Sequence, residues 1–134
     1  MTALDTNVLV RYLVGDDAAQ AEAARALVAA LTPEDPGFVC REVMVELAWV
    51  LERSYGFNRV TVAAALMDLT ASDSLAVEDA DDVAVAAYRY RQGAADFSDL
   101  MILAAAKRAG ADPLYTFDRD LSRLARAVLV RHET

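Results

Sequence analysis

The chain has 134 residues, of which 56% are hydrophobic and 25% charged, and its formal net charge at pH 7 is −8. This length fits one domain with a buried core, and the composition excludes a disordered chain. The acidic balance argues against a general nucleic-acid-binding surface, which normally carries a basic patch. The first apolar stretch, interrupted by Arg11, is too short for a signal peptide or a membrane span. Because the single cysteine, Cys40, excludes an internal disulfide, we expect a reducing, cytoplasmic setting without a membrane.

Short apolar runs alternate with segments of helical periodicity, which is typical of a parallel α/β fold. Asp17 and Asn58 stand where helix N-caps are expected, and Gly15, Gly93 and Gly110 stand where helices should end. No repeat or linker interrupts the pattern, so one domain over residues 1–134 is predicted. In chain order the predicted elements are a strand at 3–4, helices at 7–15 and 18–31, a strand at 38–40, helices at 41–54 and 59–71, a strand at 75–77, helices at 81–92 and 99–109, a strand at 114–116, a short helix at 121–124 and a strand at 127–130.

Two acidic residues follow predicted strands. Asp5 comes directly after the first strand, and Asp118 comes after strand 114–116 with one residue between them. Because ligands of parallel α/β folds bind outside the carboxyl ends of the strands, both carboxylates are expected in one crevice. The alternative for Asp5 is that it caps the following helix. Asp120 either supports this site or caps the short last helix.

Glu46 lies at the apolar edge of its predicted helix, three residues after Val43 and four before Val50. Burying an unpaired carboxylate costs several kcal/mol, so Glu46 would need a cation or a close partner. A buried Arg–Glu pair is the alternative. Asp96 and Asp99 flank the start of another helix and could cap it, although Asp99 also borders the predicted buried face.

Two acids at strand ends and two at inward helix edges predict one site for a hard cation. Its ligands are oxygens, and the sequence offers no set of histidines and cysteines suited to zinc. The only histidine, His132, lies near the C-terminus, and Cys40 is expected as a small buried apolar residue.

Four segments stand in series over nearly the whole chain: LDTNVLVRYL, REVMVELAWVLERSYGF, ADFSDLMILAAAKRAGA and LYTFDRDL. Together they resemble a PIN-domain nuclease, and specifically a VapC-type toxin of bacterial toxin–antitoxin pairs. The resemblance implies a PIN-like three-layer α/β/α fold with a central, mostly parallel sheet flanked by helices. It also implies an Mg²⁺- or Mn²⁺-dependent endoribonuclease that cleaves RNA and is paired with a VapB-type antitoxin.

The resemblance assigns roles to individual residues. The acidic quartet falls on Asp5, Glu46, Asp99 and Asp118, and Asp96 occupies a position that is often acidic in the family. The polar residues that support these carboxylates fall on Thr6, Asn7 and Thr116. Bound Mg²⁺ would activate water and orient the scissile phosphate, while Asp96 or Glu46 accepts a proton. Arg11 and Arg119 are candidates for contacts to flanking phosphates, with surface ion pairs as the alternative.

Two other functions are compatible with an acidic site. A phosphatase or phosphoacceptor domain would pair a nucleophilic aspartate with a well-placed lysine, but Lys107 is predicted in the middle of a helix. A non-catalytic, metal-stabilised module that only binds an antitoxin-like partner is the second alternative, and the sequence does not exclude it.

The mean hydropathy of +0.21 predicts more apolar surface than one small core can cover. With the resemblance, this surface predicts a homodimer and a separate groove for an amphipathic antitoxin helix, which would present a basic residue to the acidic site. The alternative is that these residues face the sheet. The candidate residues are Leu27, Leu31, Trp49, Tyr55, Phe57, Val62, Leu66 and Leu69.

Overall fold

A computed structural model describes residues 1–132, so residues 133 and 134 of the predicted domain lie outside the described part. Every predicted element is present there, with small shifts at its ends. None of the helices within residues 1–132 has the length and hydropathy needed to cross a bilayer. In chain order the elements are β1 (Thr2–Ala3), α1 (Thr6–Val14), α2 (Ala18–Ala29), β2 (Gly37–Val39), α3 (Arg41–Arg53), α4 (Arg59–Ala71), β3 (Leu75–Val77), α5 (Ala80–Arg91), α6 (Phe97–Arg108), β4 (Leu114–Thr116), a 3₁₀ turn (Leu121–Arg123) and β5 (Ala127–Leu129).

Local capping explains where several helices begin and end. The Asp17 side chain accepts a hydrogen bond from the backbone of Gln20 at the start of α2, and Asn58 accepts one from Thr61 at the start of α4. Gly15 ends α1 with a φ of 71°, a left-handed conformation that glycine adopts without steric strain. These caps confirm the boundaries predicted from the sequence.

All strand pairs in the described residues are parallel, which confirms the predicted α/β class, but these strands form two sheets. β1, β2 and β3 form a three-stranded sheet in which Phe38 pairs with both Ala3 and Ala76. β4 and β5 form a separate pair in which Tyr115 faces Val128. Within residues 1–132, no strand pairing joins β4 to β1. The two strand ends that carry Asp5 and Asp118 therefore belong to different sheets.

The core lies between the three-stranded sheet and the helices. Helix α4 packs against α3, α5 and β3, so more than one of its faces is covered. The prediction that Val62, Leu66 and Leu69 form excess apolar surface is therefore wrong, because all three belong to the core. Of the other candidates, Leu27 and Trp49 are exposed, whereas Leu31, Tyr55 and Phe57 are partly buried against the core.

An ionic cluster connects the helices that carry the candidate site. Arg41, at the start of α3, lies 3.0 Å from both Asp79 and Asp82 at the start of α5. Arg41 also donates a hydrogen bond to the carbonyl of Met101 in α6, and Arg108 of α6 lies 2.9 Å from Asp82. Hydrogen bonding to Arg108 and Arg41 holds the pKa of Asp82 below its ordinary value. The cluster thus fixes α3 and α6 relative to α5.

Candidate active site

Asp5 joins the end of β1 to the start of α1. It is the N-cap residue of α1 in extended conformation, and its Oδ1 accepts a hydrogen bond from the Thr6 amide at 2.8 Å. Asp5 therefore follows the first strand, as predicted, and also caps α1, which was the alternative. The side chain is exposed, and the Thr6 amide is its only hydrogen-bond donor within residues 1–132, so Oδ2 is available to a ligand.

Glu46 lines the same cavity as Asp5, a space of about 520 Å³ between α1 and α3. The side chain of Glu46 is exposed, and no ion pair within the described residues involves it. Both the expected burial of this carboxylate and the alternative of a buried Arg–Glu pair are therefore wrong. The physical reason is the direction of the helix, because α3 buries Met44, Leu47 and Leu51 instead, leaving Val43 and Val50 half-buried.

The buried hydroxyl of Thr6 indicates which kind of ligand the Asp5 cavity can hold. The residue is 5% exposed and lines the cavity, and its Oγ1 has no hydrogen-bond partner among the described residues 1–132. A buried hydroxyl without a partner costs about 1–3 kcal/mol, so this atom favours a ligand that satisfies it. Asn7 lines the same cavity. The set of carboxylate, hydroxyl and amide oxygens fits a hard cation such as Mg²⁺.

A second cavity, of about 240 Å³, contains the other predicted carboxylates. Asp99 lies in the first turn of α6 and is half-buried. Burial, together with the negative charges of Asp118 and Asp96, raises the pKa of Asp99. A cation in this cavity would relieve this unfavourable environment. The cavity is lined by Arg59, Gly93, Ala94, Ala95, Asp96, Asp99, Asp118, Asp120 and Arg123.

Asp118 is held by backbone hydrogen bonds. Its Oδ1 accepts from the amides of Asp120 at 2.8 Å and Leu121 at 3.1 Å, so Asp118 caps the 3₁₀ turn. Its own amide donates to Oγ1 of Thr116 at 3.0 Å, so Thr116 supports the backbone of Asp118. Asp120 makes no capping hydrogen bond and instead pairs with Arg123 at 3.3 Å on the surface.

Asp96 is the N-cap residue of α6, but its side chain makes no capping hydrogen bond. Its Oδ1 instead lies 3.0 Å from the guanidinium of Arg59. Arg59 was not among the residues predicted from the sequence. The sequence carried one signal for Arg59. It is the first residue of α4, and the helix macrodipole disfavours a positive charge at a helix N-terminus.

The predicted ligands lie in two groups. Asp5 and Glu46 line one cavity, and Asp96, Asp99 and Asp118 line the other. Among residues 1–132, no three histidine, cysteine, aspartate or glutamate side chains are placed to hold one metal ion. The four predicted ligands thus line two cavities, and within residues 1–132 no hydrogen-bonded ladder connects β1 and β4, the strands that Asp5 and Asp118 follow. The metal-binding roles of the individual residues stay predictions.

The two predicted phosphate contacts differ in their surroundings. Arg11 lines the Asp5 cavity, but its guanidinium pairs with Asp16 at 3.0 Å and hydrogen-bonds to Gln20 and Tyr55. The surface ion pair, the alternative for Arg11, is therefore present. Arg119 is exposed and lines neither of the two acidic cavities.

The chain matches the family model of the PIN domain over residues 2–127, a range that contains both acidic cavities. No curated protein and no solved structure matches the chain significantly. PIN domains are generally nucleases that use divalent metal ions. The matched range covers almost the whole chain, and the parallel α/β architecture agrees with it. The chain therefore belongs to the PIN domain family.

Proposed function

We propose that this protein is an Mg²⁺-dependent endoribonuclease that acts as the toxin of a VapBC-type toxin–antitoxin pair. The observation that carries the proposal is the PIN-domain match over residues 2–127, which includes both acidic cavities. The unpartnered hydroxyl of Thr6 beside Asp5 supports the use of a hard cation. The four sequence segments quoted above support the assignment to VapC-type toxins.

Asp5 and Glu46 in one cavity, and Asp99 and Asp118 with Asp96 beside them in the other, would hold Mg²⁺, or Mn²⁺ as a substitute. When bound, the ion supplies a more acidic water and stabilises negative charge on the phosphate and on the leaving oxygen. Glu46 is exposed and carries no ion pair in the described residues, so its carboxylate is free to accept a proton. Asp96 is less suited to this step because Arg59 occupies one of its oxygens.

The antitoxin belongs to the same proposal, and an apolar groove suits it. A groove of about 660 Å³ lies between α3 and α6, where Trp49 is 58% and Ile102 53% exposed. Glu42, Glu46 and Glu78 also line it. An amphipathic antitoxin helix with basic residues complements both the apolar floor and this acidic rim. Because Glu46 also lines the Asp5 cavity, a basic antitoxin residue at this position would reach the acidic site.

The test is cleavage of an RNA substrate by the purified chain, with Mg²⁺ present and after removal of metal by EDTA. We expect metal-dependent cleavage that Asp5→Asn abolishes. The matched control is Asp73→Asn, which removes an exposed aspartate in the loop between α4 and β3. Cleavage that persists in Asp5→Asn, or that does not need metal, would contradict the proposal. Metal binding without any cleavage would favour the non-catalytic interaction module.

A further inference from the structure

Arg59 connects three parts of the chain around the Asp99 cavity. One guanidinium nitrogen donates hydrogen bonds to the carbonyls of Tyr90 at 2.9 Å and Ala95 at 2.7 Å. The other terminal nitrogen donates to Oδ1 of Asp96 at 3.0 Å. The acceptors lie at the end of α5, in the connection that follows, and at the N-cap of α6. A side chain from the start of α4 thus fixes the segment that leads into α6.

The packing around the guanidinium holds it in this position. Arg59 lies over the ring of Tyr90, 4.5 Å from its centroid, and Tyr90 is buried. The Tyr90 hydroxyl donates to Glu52 at 2.9 Å, and the Tyr90 ring packs edge-on against Phe97, the first residue of α6. Since Asp99 is two residues beyond Phe97, Arg59 and Tyr90 together hold the turn that carries Asp99.

We infer that Arg59 is a positioning residue for metal binding: it fixes Asp96 and the first turn of α6 so that the carboxylate of Asp99 is presented to the cavity it shares with Asp118. The inference rests on the proposed function. A purely electrostatic role for Arg59 makes the opposite prediction, because a cation beside the ligands weakens the binding of a second cation. An experiment can therefore distinguish a positioning role of Arg59 from an effect of its charge.

Lysine distinguishes geometry from charge at this residue. Arg59→Lys keeps the positive charge, but a compact ammonium cannot reproduce the planar fork that spans Asp96 and two carbonyls. Residues that hold metal ligands in place typically contribute ~10–100-fold to metal affinity. We expect Arg59→Lys and Arg59→Met each to weaken metal binding by about tenfold or more.

Arg123 provides the matched control. It lines the same cavity, but among residues 1–132 it pairs only with Asp120, and both side chains are more than three-quarters exposed, at 77% and 78%. Arg123→Met removes one positive charge from the cavity without removing a backbone anchor. We expect its metal affinity to stay within about twofold of the wild type, or to rise, since exposed ion pairs contribute little.

The experiment is isothermal calorimetry of the full chain with Mn²⁺ alone and with Mg²⁺ alone, on the wild type and the three variants. Thermal unfolding of the metal-free proteins is measured beside it, because a merely structural role lowers Tm without changing the metal Kd of the folded protein. If Arg59→Met does not fold, the metal Kd of Arg59→Lys alone tests the inference. An unchanged or tighter Kd in folded Arg59→Lys overturns the inference.

The outcomes separate this inference from the proposed function. Metal binding and RNA cleavage by the wild type, with unchanged Kd in both Arg59 variants, overturn the inference alone. Metal binding that depends on Arg59 without RNA cleavage overturns the nuclease proposal and leaves the positioning role standing. A wild type that binds neither ion overturns both.

Discussion

Replacing Thr6 by valine tests whether the acidic cavity is built around a ligand. Valine has nearly the shape of threonine and a similar helix propensity, so the substitution removes little except the buried hydroxyl. That hydroxyl has no partner in the part of the chain that the structure describes, and an unpartnered buried hydroxyl costs about 1–3 kcal/mol. We expect Thr6→Val to raise the free energy of unfolding of the metal-free protein by about 1 kcal/mol, which for a domain of this size raises Tm by about 3–5 °C.

The matched control is Thr70→Val in α4. Its Oγ1 donates to the carbonyl of Met67 at 2.7 Å, so the same substitution removes a hydrogen bond that exists. We expect it to lower the free energy of unfolding by about 0.5–1.5 kcal/mol. The two variants should therefore shift Tm in opposite directions.

The measurement is thermal unfolding followed by circular dichroism, first in EDTA and then in Mg²⁺. A ligand that binds the folded state raises Tm by an amount that grows with the logarithm of its affinity, so the increase caused by Mg²⁺ should be smaller for Thr6→Val than for the wild type. The reasoning is refuted if Thr6→Val destabilises the metal-free protein as much as Thr70→Val does, because the Thr6 hydroxyl would then have a partner.

The remaining predictions concern the carboxylates and the assembly. Asp99→Asn should lower RNA cleavage at least about a hundredfold, since even residues behind the ligands contribute ~10–100-fold. Because the pKa of Asp99 is raised in the folded protein, its ionisation destabilises the fold, and stability is lost as pH rises from the unfolded pKa through the folded one. Asp99→Asn should remove this loss in metal-free pH titrations, and equal pH profiles would contradict the assignment. Glu46→Gln should abolish cleavage. Because the side chain is exposed, the substitution should change the free energy of unfolding by less than about 0.5 kcal/mol. A loss of several kcal/mol on denaturant titration would contradict this expectation. Light scattering should give the mass of a dimer at micromolar concentration, and replacing the antitoxin's basic residue by alanine should weaken its complex with this chain; a monomeric mass or an unchanged affinity would contradict the respective prediction.

The helices and strands could be predicted from the sequence because their signals are local. Asn58 and Asp17 cap through hydrogen bonds to residues three positions away, and the apolar periodicity of each helix lies within a few turns. The strand-end positions of Asp5 and Asp118 were predictable for the same reason. The coarse fold class thus follows from short-range patterns.

The arrangement of the site could not be predicted in the same way because it depends on contacts between distant segments. The ion pair of Arg59 with Asp96 joins residues 37 positions apart. Whether β4 pairs with β1 depends on tertiary packing that no local pattern encodes, and so does the burial of α4 on more than one face. The sequence therefore predicts which acids could serve the site, and the structure shows that they occupy two cavities.

The exposed indole of Trp49 makes the α3–α6 groove directly observable. The chain has one tryptophan, and its side chain lies in the groove beside Glu46 with more than half of its surface in water. Removal of that water shifts indole emission to shorter wavelength, whereas the five tyrosines are avoided by excitation at the red edge of the absorption band. The unlabelled wild-type protein thus carries a spectroscopic reporter at one defined surface, and a titration with any partner that covers the groove can be read from its fluorescence.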